Sequence, residues 1–455
     1  MGKPVNKLLT YALPAVVICL CFFNPEFGWV QESDPDADSN LNSLTLEQCI
    51  DIALENNPVL GYQNWEIEAL EALKKEAAGQ RLPRISGSGN YHHYSDTMRL
   101  APPRGFSYPL IFTDDILSFN VALAMPVFTG GRISNQIQAA ELFQQSAEHS
   151  LVHTREELIF KVTSVYYSMI KQHQILKSLD FSKTTLEKHL KRVKEMLEAK
   201  KAAELDQLRM EVRLADIVQR IEKEKNTLAV KNRTLANLMG VEEIDFRIPP
   251  EEELPFNARE LDLEKSISTA YANRTDYQSV QKEAEAQEKK IKAAHAGFWP
   301  SVSLYASYGV QAALGNYIRQ VEVDRIEDIG QIGLSFELPF YEGGRKRAAI
   351  HLEQARLAML NEKLRELELR IRLDVEAAVL NIKYTSKRIS ATHKALEQAR
   401  ATLRIELEKY DLGMGSITDI FDAESALLEL QTVYYSALAD YHIYCAHLTF
   451  VQGRS

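Results

Sequence analysis

Two stretches of this chain hold apolar residues at alternating steps of four and three for much longer than a globular helix needs. Leu158, Val162, Val165 and Met169 step in this way, and Leu186, Leu190, Val193 and Leu197 continue the series. Ile371, Val375, Ala378 and Ile382 do the same in the second half. The spacing is that of a coiled-coil seam. No Pro or Gly interrupts Ile133 to Ala199 or Lys346 to Asp411, so the pattern predicts long helices over about 132–199 and 345–411. At ~1.5 Å per residue each would be a rod of roughly 100 Å.

Elsewhere the period changes to two. Ile85, Gly87, Gly89, Tyr91 and His93 alternate with Ser86, Ser88, Asn90 and His92, and Phe119, Val121, Leu123 and Met125 with Asn120, Ala122 and Ala124. Val302, Leu304, Ala306, Tyr308 and Val310 alternate with Ser301, Ser303 and Ser307, and Ile332, Leu334, Phe336 and Leu338 with Gly333, Ser335 and Glu337. Strands are expected at about 85–94, 118–126, 301–310 and 330–338. Alternation puts one set of side chains on each face. A bulky apolar face and a small, polar one suit a barrel with lipid outside and water inside. Strands of ~10 residues match what a membrane strand requires. Before them, Thr45 with Gln48 three residues on marks a helix start of capping-box type, and a second helix is expected over about 61–81.

The chain repeats itself. Leu44-Thr45-Leu46-Glu47 recurs as Leu261-Asp262-Leu263-Glu264, an offset of 217 that also carries Asn56 to Asn273 and Pro83 to Pro300. From Pro126 the offset is 213. Pro126-Val-Phe-Thr-Gly130-Gly131-Arg132 recurs as Pro339-Phe-Tyr-Glu-Gly343-Gly344-Arg345, and Asp206, Glu211 and Gly240 match Asp419, Glu424 and Gly453. The domain reading is a first repeat over 44–240 and a second over 261–453, the change of offset falling in a loop between two strands. Four strands cannot close a barrel, and an open apolar sheet cannot sit in lipid. Several copies must share one barrel; three would give twelve strands and twelve helical passes.

Composition narrows the class. At 455 residues, with net charge −10 and pI about 5.7, nothing marks a nucleic-acid partner. Lys3 and Lys7 before an apolar run from Leu8 to Phe23 read as a signal peptide over 1–23; the alternative is an uncleaved anchor. The leucine and isoleucine that precede Cys21 and Cys19 disfavour a lipid-modified cysteine. Residues 24–43, with Asp34, Asp36 and Asp38, read as a flexible leader. Cys49 and Cys445 remain in the mature part; the compartment allows a disulfide, and two buried thiols are the favoured reading.

The duplicated layout, the P-x-[FY]-x-G-G-R turn in both copies, and Tyr410-x-x-Gly413 followed by Ile417-Thr418-Asp419-Ile420-Phe421-Asp422-Ala423 resemble the TolC-like outer-membrane efflux proteins, over roughly Leu44 to Gly453. The resemblance implies an α+β membrane protein: mainly long α-helical coiled coils forming an α-barrel, plus four strands per protomer in a shared 12-stranded trimeric β-barrel, with internal duplication. It implies a homotrimer in outer-membrane lipid of a Gram-negative cell, extending through the periplasm to a periplasmic adaptor (membrane fusion) protein and an inner-membrane transporter. The expected role is a passive export duct, with no cofactor, no metal and no catalysis. A pore-free periplasmic coiled-coil scaffold is the competing reading.

The resemblance also names a gate. Asp419 and Asp422 match acids of a periplasmic pore constriction, and a trimer would make each a ring of three carboxylates that favours cations. For Asp419 the plain alternative is helix capping after Ser416; for Asp422 it is a solvated acid facing Arg209. Tyr410 and Asp206 match a closed-state lock. The arginine that the family uses there is here Gly415, so Lys200 or Lys201 would have to replace it. Gly413 and Gly415 read as a helix bend, where Gly is permissive. Pro126, Gly130, Gly131, Arg132 and their mates Pro339, Gly343, Gly344, Arg345 read as barrel–helix junction turns, the arginines being solvated. His92 and His93 point to opposite faces of a strand and cannot chelate together. Tyr410→Phe and Asp206→Ala are each expected to loosen the closed end and raise single-channel conductance in planar bilayers; unchanged conductance in both would count against the lock.

Overall fold

The structure is a computed structural model that describes residues 44–99, 112–200, 203–242, 254–258, 260–318 and 326–454. The expected signal peptide and leader, and Lys201, lie outside these residues.

Each copy runs helix, helix, strand, strand, long helix, helix. The first has α1 Leu46–Asn56, α2 Pro58–Gly79, β1 Arg84–Arg99, β2 Phe112–Phe128, α3 Arg132–Glu198 and α4 Glu204–Met239. The second has α5 Leu263–Asn273, α6 Thr275–His295, β3 Ser301–Ile318, β4 Ile326–Glu337, α7 Arg345–Asp411 and α8 Ile417–Val451. The capping box at α1 is present: Thr45 N donates to Gln48 Oε1 at 3.0 Å and Gln48 N to Thr45 Oγ1 at 3.3 Å. Helix α2 starts three residues before the expected 61, because Asn57 Oδ1 accepts from Val59 N at 2.9 Å and Pro58 takes the first helical position, where its missing N–H costs nothing.

The strands form one antiparallel sheet in the order β1-β2-β3-β4. They run beyond the expected spans, β1 to Arg99 and β3 to Ile318. The period-two signal fades there, and ladder pairing to neighbours carries the strands on despite slips between His93 and Met98 and between Thr113 and Asp115. Pairing of this kind overrides local pattern.

The seam residues form three cores. Leu158, Val162, Tyr166 and Met169 of α3 pack with Leu44, Cys49, Leu60, Leu235 and Met239. Ile371, Val375, Ala378 and Ile382 of α7 pack with Ile267, Ala437 and Tyr441, against which Cys445 lies. The third core joins the two repeats at the end remote from the sheet: Leu186, Val193, Met210 and Ile217 with Ile417, Ile420 and Leu428 of α8. Cys49 and Cys445 thus sit in different cores, the first buried and the second half-buried. The duplication is physical as well as textual. A Cβ on Gly240 would come within 2.3 Å of Asn56 O, and one on its mate Gly453 within 2.8 Å of the carbonyl of Asn273, the mate of Asn56.

Each long helix leaves the sheet through the same turn. Gly130 and Gly131 have φ of 61° and 84°; Gly343 and Gly344 have 59° and 84°. These left-handed values are open to Gly without steric cost. Arg132 N donates to Thr129 O and Arg345 N to Glu342 O, both at 3.1 Å. Pro126 lies past the last β1 partner of β2, where a missing N–H is tolerated. The surroundings differ: a Cβ on Gly130 would meet Trp299 Cβ at 2.6 Å, whereas Gly343 has nothing within 4 Å. Gly343→Ala should therefore cost only the left-handed penalty of about 1 kcal/mol, and Gly130→Ala clearly more. Thermal unfolding of the two variants checks the order; equal midpoints would contradict it.

Candidate transmembrane sheet and gate

The registers sort the sheet into two faces. Across it, Ile85, Leu123, Ala306 and Ile332 form one row and Met125, Leu304 and Leu334 another. The opposite face carries Ser86, Ala122, Ser307 and Gln331, then Ser88, Asn120 and Gly309. Phe119, Val121, Tyr308, Ile332, Leu334 and Phe336 are all exposed in the single protomer. Phe128, Phe298, Trp299, Phe340 and Tyr341 cluster, also exposed, where the strands meet the helices, as an aromatic belt does at a membrane surface. No helix among the described residues is long and apolar enough to cross a membrane, so the sheet is the element with a membrane-compatible face.

Toward the outer end of the sheet, Tyr91 Oη donates to Asp115 Oδ1 at 2.6 Å and His93 Nδ1 lies 2.8 Å from the same oxygen. His93, Asp114 and Asp115 bring ligand atoms within 4.8 Å of one another. Asp115 belongs to the facing strand, opposite His93, a pairing that alternation along one strand does not reveal.

The other end of the chain bends between α7 and α8. Gly413 N donates to Tyr410 O at 3.0 Å and Met414 N to Lys409 O at 2.9 Å, a Schellman-type stop with Gly413 at φ 72°. A Cβ on Gly415 would press on Tyr410 N at 3.0 Å and Lys409 Cβ at 3.1 Å. A side chain at this position, such as the arginine expected from the resemblance, would require Lys409 and Tyr410 to give by a few tenths of an ångström. Lys200 occupies the matching left-handed position of the first repeat, φ 62°, and makes no ion pair among the described residues. Beside the bend, Arg192 of α3 forms an ion pair with Asp411 of α7 at 3.0 Å, joining the repeats.

Tyr410 is half-buried. Burial raises its phenol above the ordinary value, and the nearby charges of Asp206 and Asp411 add to this. No hydrogen bond joins Tyr410 to Asp206 within one protomer among the described residues. Asp419 and Asp422 are both exposed. Asp419 completes a capping box, Ser416 N donating to Asp419 Oδ2 at 3.2 Å, so the capping role is present whatever else the charge does. Arg209 Nη1 donates to Thr418 Oγ1 at 3.4 Å, one turn before Asp422 on the same helix face.

A sheet with one lipid-compatible face, carried on coiled coils whose far end bears exposed carboxylates, defines the class: a protomer of a membrane channel with a long helical extension. The family model described as outer membrane efflux protein matches residues 49–241 and 266–454, and the chain belongs to that family. It is similar to the solvent efflux pump outer membrane protein SrpC of Pseudomonas putida, 24% identical over 409 residues that cover 87% of this chain and 82% of SrpC. The outer membrane protein VceC of Vibrio cholerae has the same fold, with TM-score 0.74 and 17% identity over 90% of this chain and 96% of VceC. So does CusC, with TM-score 0.77 and 16% identity over 95% of this chain and all of the CusC chain. The protein is an outer-membrane efflux channel component, not a pore-free scaffold. Asp419→Ala leaves the Ser416 cap but removes the reciprocal half of the capping box, and should cost about 0.5–1 kcal/mol. Asp419→Asn keeps an acceptor and should cost little, as should Asp422→Ala, a surface change within about 0.5 kcal/mol. Thermal unfolding reads all three; equal losses would remove the capping role.

Proposed function

We propose that this chain is one third of a passive trimeric duct: three copies close a 12-stranded barrel in the outer membrane, and their helices form a tube toward a periplasmic adaptor and an inner-membrane transporter that selects the solute. At the inner end Asp419 and Asp422 form acidic rings at the constriction, and Tyr410 with Asp206 of the facing helix belongs to the lock. The number three is supported by the small inner face. An eight-stranded barrel has an interior just filled by side chains; twelve strands lined by Ser, Ala, Gly and Asn leave an aqueous bore.

The observation that carries this reading is the unequal burial of matched positions. On α3, Ala139, Ser146 and Glu156 are buried. Ser146 Oγ lies 2.9 Å from Ser279 Oγ of α6, and Thr275 Oγ1 donates to Glu156 Oε2 at 3.3 Å. Farther along, Phe160 stacks on Phe450 of α8 at 5.6 Å and Tyr167 on His442 at 4.8 Å. The mates of these five α3 residues on α7 are Leu352, Met359, Leu369, Leu373 and Leu380, and every one is exposed, Met359 at 72%. A heptad-like apolar stripe open to water is an interface awaiting its partner. The duplication supplies that partner. As α3 packs on α6 and α8 of its own chain, α7 packs on α2 and α4 of the next copy. Ser279 maps to Tyr62, itself 68% exposed, so Met359 of one copy meets Tyr62 of the next. Polar pairs inside the protomer become apolar pairs between copies. The repeated handoff from copy to copy is head-to-tail and closes as a ring.

A double variant Tyr62→Cys with Met359→Cys, oxidised in outer-membrane vesicles, should give covalent dimers and trimers on reducing-agent-free gels, and each single variant should give none. Monomer alone from the double variant would contradict this interface.

A further inference from the structure

In its first two turns helix α8 carries the exposed acids Asp419 and Asp422, and on its opposite side a buried one. Glu424 is 5% exposed. Its Oε1 accepts from Ser182 Oγ of α3, and its Oε2 lies 3.6 Å from Arg213 Nε of α4. That separation is too long for a hydrogen bond, so Oε2 and Arg213 Nε are both buried without a hydrogen-bond partner. Arg213 is tied elsewhere, donating to Ser425 Oγ at 2.7 Å and to Asp216 Oδ2 at 3.4 Å. A carboxylate in this position is incompletely satisfied, and burying such a charge is costly. The cavity beside it is lined by Ser182, His189, Leu403, Leu407, Ile420 and Leu427. Two residues along a helix are about 200° apart, so holding Glu424 between α3 and α4 fixes the direction in which Asp422 points.

We propose that Glu424 is a positioning residue of the gate: a buried acid that pins α8 to α3 and α4, and whose deprotonation releases α8 and the acids it carries. The proposal rests on the constriction reading of Asp419 and Asp422.

The direction of the pH effect follows from burial. Burial raises the Glu424 acid above the ordinary carboxylate value, with Ser182, Arg213 and Arg220 pulling the other way. Any movement that swings α8 off its neighbours returns the carboxyl to water and to its ordinary value. The packed form therefore binds the proton more tightly. Acid favours packing, and that contribution is lost as pH rises from the ordinary carboxylate value through the raised one. The groups facing Glu424 are Ser182 and His189 from α3; Arg213, Asp216 and Arg220 from α4; and only Leu403 and Leu407 from α7. His189 titrates in the opposite sense. Burial pushes it below its ordinary value, so its contribution to packing is lost as pH falls.

The test uses the assembled channel in planar bilayers with His189→Gln as the background, which removes the imidazole that titrates in the opposite sense, while Asp216 stays unchanged in every variant. In that background, open-channel conductance should rise with pH from the ordinary carboxylate range upward. Adding Glu424→Gln, which keeps the acceptor for Ser182, should abolish the rise. Adding Arg213→Gln instead, which removes the counter-charge, should shift the rise to higher pH; this variant keeps the question answerable if Glu424→Gln fails to assemble. A rise that persists in the Glu424→Gln channel, or is unmoved by Arg213→Gln, overturns the proposal. The acid rings have their own readout, the cation preference of Asp422→Asn, so failure of the clamp and failure of the constriction are told apart.

Discussion

The backbone hydrogen bonds that β1 and β4 cannot make within one chain govern the rest of this structure. Each is an edge strand, of 16 and 12 residues, presenting a row of N–H and C=O groups. In water such an edge invites aggregation, and in lipid each unmet group costs several kcal/mol. The apolar rows of the sheet require lipid; the edges forbid lipid unless another copy pairs with them. Both demands are met only by a closed sheet built from several chains.

The helices meet the same problem with the same solution. Internal duplication gives the chain two nearly equivalent long helices, but only α3 finds both of its neighbours at home. Its mate α7 packs on α6 and α8 and leaves an apolar stripe over from Leu352 to Leu380. On the proposed assembly, one copy is a segment of a ring cut open, with a complete joint inside and half a joint at each end. The change from serine and glutamate within the protomer to methionine, leucine and tyrosine at its ends fits an interface that must form without covalent help.

Much of this was legible in the sequence because it is periodic. The long helices announce themselves through unbroken four-and-three spacing, the sheet through alternation, and the duplication through fixed offsets that pair Gly240 with Gly453 and Asn56 with Asn273. Features set by contacts between distant elements were not legible. The helix period points to a start of α2 near residue 61, whereas the Asn57 cap carries it back to Pro58. The outer strand ends were cut short because pairing continues after alternation stops. Asp115 was missed as the partner of Tyr91 and His93 because the facing register was unknown. At the gate, Asp419 and Asp422 stood out through motif order, whereas Glu424 looked like one more acid in an acidic stretch; only burial between α3 and α4 distinguishes it. Gly415 departs from the pattern that the resemblance implies, and at that position a Cβ would crowd Lys409 and Tyr410.

A lone chain leaves both sheet edges unpaired and the α7 stripe exposed. The most direct measurement is the protein mass of the purified channel by light scattering, with the detergent contribution subtracted, compared with the behaviour of the same chain after detergent removal. A particle of three chains that aggregates or demands lipid when detergent is withdrawn is the expected result. A stable, monodisperse particle of one chain in plain buffer would contradict it.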